Sequence, residues 1–120
     1  MSYMLLILEK GEDRRNRPLE GGRAAYASML RFADDLKSRG LLKACDALRS
    51  DALGTRLSRQ GGKSTVVDGP FTESKEIVGG FFLVDCKTKA EALALAEECP
   101  AIAWATVEVR EVGTCFEDLG

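Results

Sequence analysis

The run YMLLIL, residues 3–8, constrains the fold most, because all of its positions are apolar. Side chains of a β-strand alternate between two faces. The run therefore divides into an odd set and an even set: Tyr3, Leu5 and Ile7, and Met4, Leu6 and Leu8. A strand that is apolar on both sides is typical of a sheet covered on both faces. Any fold for this chain must supply those two covering layers.

The composition predicts one soluble domain over residues 1–120. The chain has 120 residues, of which 45% are hydrophobic and 30% charged, enough to build a single core. No segment approaches the ~20 apolar residues of a membrane span. The apolar N-terminal run has no basic region before it and does not resemble a secretory signal. We expect a cytoplasmic protein with no membrane partner.

The charge pattern argues against nucleic-acid binding. The net charge is −2, with no basic face for phosphates and no long run of one sign. Arg14, Arg15 and Arg17 form a local cluster among acidic neighbours. We interpret it as a solvated loop rather than an anion site.

The chain contains no histidine and four cysteines, Cys45, Cys86, Cys99 and Cys115. Without His or a Cys-x-x-Cys motif, the usual zinc spacings are absent, so no metal site is predicted. The segments GGRAAY and QGGKST lack the spacing of a nucleotide phosphate loop, and we expect no cofactor. Cys86 and Cys99 are predicted to be buried free thiols, whereas Cys45 or Cys115 could be exposed. Acid–base chemistry would require a carboxylate, Lys, Cys or Tyr.

Periodicity predicts the order strand, helix, strand, hairpin, strand, helix, strand. The elements are a strand over 3–8, a polar loop over 9–18, a helix over 19–39, a strand over 41–50, a hairpin around Gly61-Gly62, a strand near 79–86, a helix over 89–98 and a strand over 105–112. Gly40 fits a helix C-terminus, and Thr88 with Glu91 fits a capping box. The order favours an α+β fold: a ferredoxin-like split βαβ antiparallel sheet with an inserted β-hairpin.

Two helices can cover one face of this sheet, so the other apolar face of the first strand needs a different cover. A homodimer packed sheet to sheet would supply it. In the last strand, Val107 and Val109 would lie under the helices, and Glu108 and Arg110 on the opposite face. That charged pair indicates either a polar cavity for an acidic or polar small molecule, or an edge-strand surface pair. Tyr26 is interpreted as a core aromatic with its hydroxyl near the rim.

The segment DGPFTESKE, residues 68–76, admits two interpretations. Asp68 before Gly-Pro is a good turn residue, since its carboxylate can accept hydrogen bonds from nearby backbone amides. It could equally be a functional carboxylate at a cavity mouth. Glu73, Lys75 and Glu76 could be an exposed charged turn, or a dimer contact or lid tied ionically to Arg110 or Arg56.

The stretch TVVDGPFTESKEIVGGFFLVD, followed by an Ala- and Glu-rich helix, ECP and TVEVREV, resembles the DGPF subgroup of the YCII-related domain family. The resemblance extends to YMLLIL and SRGLL and so covers nearly the whole chain. It implies a ferredoxin-like homodimer, called a dimeric α/β barrel. It also implies a small bacterial protein, with some members linked to alternative sigma factors. Enzymes of the wider superfamily would place a ligand between the helix-free sheet face and covering loops.

Two departures from the family pattern stand out. The His–Asp pair of isomerase-like members is missing, because the chain has no histidine and the position of that His falls near Ser28. Cys45-Asp46 stands where the subgroup commonly has Gly-Glu. We therefore favour a homodimeric small-ligand-binding or regulatory module. The alternative is a cofactor-independent isomerase, lyase or monooxygenase with Asp68 or Glu108 as its base. The candidate ligand-binding residues are Asp68, Glu73, Lys75, Glu108 and Arg110.

Overall fold

The computed structural model describes residues 1–116, so the last four residues of the predicted domain lie outside the described part. The strands are β1 (Ser2–Glu9), β2 (Leu42–Ala47), β3 (Thr55–Gln60), β4 (Lys63–Asp68), β5 (Ile77–Asp85) and β6 (Thr106–Glu111). The helices are α1 (Gly11–Asn16), α2 (Leu19–Ser38) and α3 (Lys89–Glu98), with short 3₁₀ turns at Asp51–Leu53 and Pro100–Ala103. Most predicted elements are therefore present, with ends shifted by a few residues.

Four strands form an antiparallel sheet in the order β2-β5-β1-β6, and α2 and α3 pack on one of its faces. The two halves, β1–α2–β2 and β5–α3–β6, interlock so that β1 and β5 lie side by side at the centre. This α+β arrangement is consistent with a ferredoxin-like fold. β3 and β4 pair separately as a two-stranded ribbon, whose Gly61-Gly62 turn has positive φ at both residues.

The two faces of β1 differ in burial as the alternation predicts. Tyr3, Leu5 and Ile7 are buried under the helices, whereas Met4, Leu6 and Leu8 are half-buried on the helix-free face. The neighbouring β5 repeats this division. Phe82 packs edge to face on Phe32 of α2 at 5.1 Å, and Phe81 faces the other way. The core therefore lies between the sheet and the helices, and an apolar sheet surface remains on the far side.

Local sequence signals explain where α2 ends and where α3 begins. α2 is followed by Gly40 at φ 72°, and the Leu41 amide donates to the Leu36 carbonyl at 2.9 Å, which closes the last turn. The Thr88 hydroxyl accepts the Glu91 amide at 3.2 Å and starts α3. Within residues 1–116, no helix combines the length and apolar character needed to cross a membrane.

One predicted element is wrong. The segment 9–18 was expected to be a polar loop, but Gly11–Asn16 form the helix α1, and Glu9 before it is 4% exposed. The reason is tertiary. Arg14 of this segment pairs with Glu9 at the end of β1, and Arg15 pairs with Asp51 on the turn after β2, a carboxylate 36 positions away.

Candidate functional site

A cavity of about 350 Å³ lies between the first half of α2 and the sheet. Its walls are mostly apolar and come from α2, β1, β2, β5 and Trp104. Small residues of two elements line it: Gly22 and Ala25 of α2, and the Gly79-Gly80 pair of β5. These small residues leave the space open where larger side chains would have continued the core.

The apolar stripe of α2 packs into the core at one end of the helix and lines the cavity at the other. Phe32, Ala33 and Leu36 are buried in the core, whereas Tyr26 and Leu30 line the cavity with 56% and 48% of their surface exposed. The interpretation of Tyr26 as a core aromatic is therefore wrong. Its side chain stands at the exposed rim of the cavity.

One end of the cavity is charged. The Glu9 side chain is 3% exposed, and its two oxygens each accept a hydrogen bond at 2.9 Å, Oε1 from Arg14 Nη1 and Oε2 from Arg17 Nη2. The two arginine side chains are about four-fifths buried. The expectation of a solvated arginine loop is thus wrong for both residues. Buried in this way, a carboxylate needs such partners.

Gly79 makes room for this ionic cluster. In the pairing of β1 with β5, Ile7 lies opposite Gly80 and Leu8 opposite Val78, so that Gly79 is an extra, bulged residue. A Cβ on Gly79 would lie 2.9 Å from Glu9 Oε1 and 3.1 Å from Arg14 Nη1. Any larger residue would have to displace the Glu9–Arg14 pair.

A second buried carboxylate, Asp51, organises the corner after β4. It accepts from Arg15 Nη1 and from the Phe71 amide, at 2.9 and 3.0 Å. Gly69 packs on the Asp51 carbonyl so closely that a Cβ there would lie 1.8 Å from its oxygen. Burial raises the pKa of the Asp51 carboxyl, but the Phe71 amide and the Arg15 guanidinium more than offset it, and the pKa lies below its ordinary value.

The candidate Asp68 belongs to this corner and not to the cavity. It is exposed at the end of β4, and its Oδ1 accepts from the Thr55 hydroxyl at 2.9 Å, across the open end of the ribbon. The Gly69 amide next to it donates to the Gly54 carbonyl at 2.8 Å. These contacts are those of a turn anchor.

Glu73 and Lys75 lie on the surface beyond the corner. Both are exposed, and within residues 1–116 neither takes part in an ion pair. Lys75 lines a second, polar cavity of about 270 Å³ between α1 and residues 71–75. Arg56, proposed as an ionic partner, instead stacks on the Phe71 ring at 3.9 Å and donates to Ser74 Oγ.

Glu108 and Arg110 lie on the helix-free face, opposite Leu6 and Met4 of β1. Their side chains bind each other, with Arg110 Nε 2.7 Å from Glu108 Oε2. Both residues therefore lie on the face that strand alternation predicted for them. This pair is on the other side of the sheet from the cavity.

The five candidate residues are thus distributed over three surfaces, and none of them lines the 350 Å³ cavity. Sequence reasoning missed Glu9, Arg14 and Arg17. One signal could have found Glu9: it continues the inward phase of Tyr3, Leu5 and Ile7, and so it is a carboxylate at a buried strand position. Nothing comparable marks the two arginines as its partners.

Cys45 contributes a thiol to the cavity wall. Burial raises its pKa, and the nearby carboxylates Asp46 and Asp34 raise it further, so the neutral thiol is favoured near pH 7. Among the described residues, no group of three or more His, Cys, Asp or Glu side chains is placed to hold a metal ion.

Comparison with known proteins adds a family and a fold. The curated protein Uncharacterized protein R00369 of Rhizobium meliloti (strain 1021) is 45% identical over 42 residues, which are 35% of this chain and 34% of that protein. The match thus spans about a third of the relative's length. A solved structure of 5-chloro-2-hydroxyhydroquinone dehydrochlorinase from Burkholderia phenoliruptrix AC1100, in complex with 2,5-dihydroxybenzoquinone, has a TM-score of 0.52. Its sequence is 14% identical, with 94% of each chain covered, so the likeness shows the fold alone.

A model of the YCII-related domain matches residues 1–115. The match includes every strand and helix described above and both buried carboxylates. The chain therefore belongs to the YCII-related domain family.

Proposed function

We propose that this chain is a homodimeric small-ligand-binding protein of the DGPF subgroup, and that the ligand occupies the cavity between α2 and the sheet. The observation that carries the proposal is the cavity itself: about 350 Å³, mainly apolar, with a buried charged cluster at one end. Sites for small organic molecules have this size and this combination of apolar walls with a few polar groups.

A cavity-filling variant tests the binding site. Ala25 lines the cavity, whereas Ala24 beside it on α2 is exposed and does not. A thermal-shift screen of small aromatic and alicyclic compounds should give hits with the wild type and with Ala24→Phe. The same hits should be lost with Ala25→Phe. A ligand at 100 times its Kd stabilises the folded state by about 2.7 kcal/mol.

Asp68→Ala is a second control in the same screen, because Asp68 lies outside the cavity. Its hits should match those of the wild type. The proposal fails if no compound stabilises the wild type, or if Ala25→Phe keeps every shift. A hit lost only in Asp68→Ala would move the site to the corner.

The dimer is supported by the helix-free face of the sheet. Half-buried apolar side chains occupy its centre: Met4, Leu6, Leu8, Phe81 and Leu83. Glu108 and Arg110 lie on the same face. A two-fold contact between copies would cover the apolar centre and bring opposite charges together, as an isologous interface requires.

Light scattering at micromolar concentration tests the dimer. The wild type should have twice the mass of the chain, and Leu6→Glu should be monomeric. Leu57→Glu is the matched control, because Leu57 is 70% exposed on the β3–β4 ribbon. A monomeric wild type would refute the proposed dimer but would not affect the proposed ligand site in the cavity.

The enzyme alternative has one specific support, the fold shared with a dehydrochlorinase. Its proposed bases, Asp68 and Glu108, do not line the cavity, whereas Glu9 does. A cofactor-independent reaction in the cavity would therefore depend on Glu9. NMR spectra of the hit compounds, incubated with wild type and Glu9→Gln, would reveal turnover that the variant lacks.

A further inference from the structure

We propose that the cavity ligand carries an anionic group, specifically a carboxylate on a one- or two-ring body, and that Arg17 binds it. This inference rests on the proposed function, since it names the ligand class of the same cavity. It begins from an imbalance of charge. At the charged end, Glu9 supplies one negative charge, and Arg14 and Arg17 supply two positive charges.

Asp46 does not correct this imbalance. It contributes to the cavity wall, but it pairs with Phe81, whereas its neighbour Cys45 pairs with the core residue Phe82. Since side chains alternate along a strand, the Asp46 side chain belongs to the helix-free face. One positive charge at a largely buried position thus lacks a counter-charge inside the cavity. A ligand anion would supply it and remove the cost of that imbalance.

The two arginines are held differently. Arg14 lies within α1, donates to Glu9 Oε1, donates a second bond to the Leu48 carbonyl and lies against Gly79. Arg17 follows α1 in the connection to α2, and among the described residues its one hydrogen bond is to Glu9 Oε2. Arg14 is therefore fixed in position, and Arg17 is the arginine that can exchange partners.

A guanidinium has five N–H donors, and Arg17 uses one of them here. The remaining donors match the two oxygens of a carboxylate. When Arg17 turns to the ligand, Glu9 keeps its bond to Arg14 and is not left unpaired. The exchange therefore replaces one carboxylate by another at Arg17 and leaves no buried charge alone.

The walls indicate what carries the carboxylate. Tyr26, Phe82 and Trp104 line the cavity together with aliphatic side chains. Aromatic walls of this kind suit a flat apolar body. The ligand class that fits both ends is an aromatic or alicyclic monocarboxylate.

Matched pairs of acid and neutral amide test this inference: benzoate with benzamide, and 2-naphthoate with 2-naphthamide. Titration calorimetry would be done with wild type, Arg17→Met, Arg17→Lys and Arg23→Met. Arg23 is exposed on α2 and outside the cavity, so it controls for loss of surface charge. We expect the wild type and Arg23→Met to bind at least one acid tenfold or more tightly than its amide.

Arg17→Met should bind acid and amide with equal affinity, and Arg17→Lys should retain part of the preference. Thermal melts would verify that each variant is folded. Equal binding of acid and amide by the wild type would overturn the inference but leave the proposed function standing. A preference that survives in Arg17→Met would also overturn it. Binding of neither member of either pair would overturn the inference, whereas the proposed function would fall only if the broader thermal-shift screen also gave no hit.

Discussion

Replacing Gly79 by Ala should destabilise the protein, although both residues are small. The added Cβ would lie 2.9 Å from Glu9 Oε1, closer than real Cβ contacts allow, and 3.1 Å from Arg14 Nη1. Gly79 does not have positive φ, so the backbone itself accepts Ala. The whole effect should therefore come from displacement of the ion pair.

The magnitude follows from that one contact. A hydrogen bond between charged groups contributes roughly 1.5–3 kcal/mol. Because the Arg14 side chain is 22% exposed and can recover some hydration, we expect the lower end, about 1.5–2 kcal/mol. Unfolding entropies of about 2.1 cal/mol/K per residue convert this to a fall in Tm of about 6–8 °C for a chain of 120 residues.

The assay is thermal unfolding followed by circular dichroism, with Gly22→Ala as the matched control. No atom lies within 4 Å of a Cβ placed on Gly22, which is inside α2. That variant should gain about 0.5–1 kcal/mol, because Gly inside a helix is less favourable than Ala. In an Arg14→Ala background, the cost of Gly79→Ala should shrink. A Gly79→Ala protein as stable as the wild type would refute the reasoning.

Three further predictions concern the corner and the thiols. Asp68→Ala removes one exposed hydrogen bond and should change the free energy of unfolding by at most about 1 kcal/mol. A larger loss, measured by urea denaturation, would show that Asp68 does more than anchor a turn. Asp51→Asn should make the free energy of unfolding depend less on pH in the acid range. The stability that the ionised Asp51 contributes is fully present above the ordinary pKa of about 3.9 and is lost as pH falls through the lower pKa of the folded state. If wild type and variant lose stability equally as the pH of thermal melts is lowered, the ion-pair account is contradicted. Alkylation by iodoacetamide at pH 7 should modify exposed Cys115 first and Cys45 more slowly, because burial raises the pKa of the Cys45 thiol. Mass spectrometry of digests would give the order of labelling. Faster labelling of Cys45 would contradict this prediction.

Features with a short sequence period were predictable in this chain. The two-sided run in β1, the opposite faces of Phe81 and Phe82, and the cap at Thr88 all depend on neighbours within a few positions. Each is fixed by strand alternation or by helix-end hydrogen bonds. These signals were sufficient for the α+β class and for the order of the elements.

The cavity and its charged end could not be predicted in the same way. At the cavity, Gly79 matters because Glu9 and Arg14 approach it from other elements; at the corner after β4, Arg15 binds a carboxylate 36 positions away. Charged residues within one segment look solvated until their distant partners are known. Alternation also fails at Gly79, where one extra residue interrupts β5, and the observed strand begins at Ile77, two residues before the predicted start.

The bulge at Gly79 has a consequence for how length varies in this family. Because Gly79 is the unpaired residue, its deletion would leave Ile77 and Gly80 on the same face and restore a regular ladder with β1. The sheet would keep its pairing, whereas the glycine against which Glu9 and Arg14 lie would be gone. The number of residues in β5 therefore indicates whether the ionic cluster can form, independently of whether the sheet forms. Relatives one residue shorter here should keep the architecture and lack this ionic cluster.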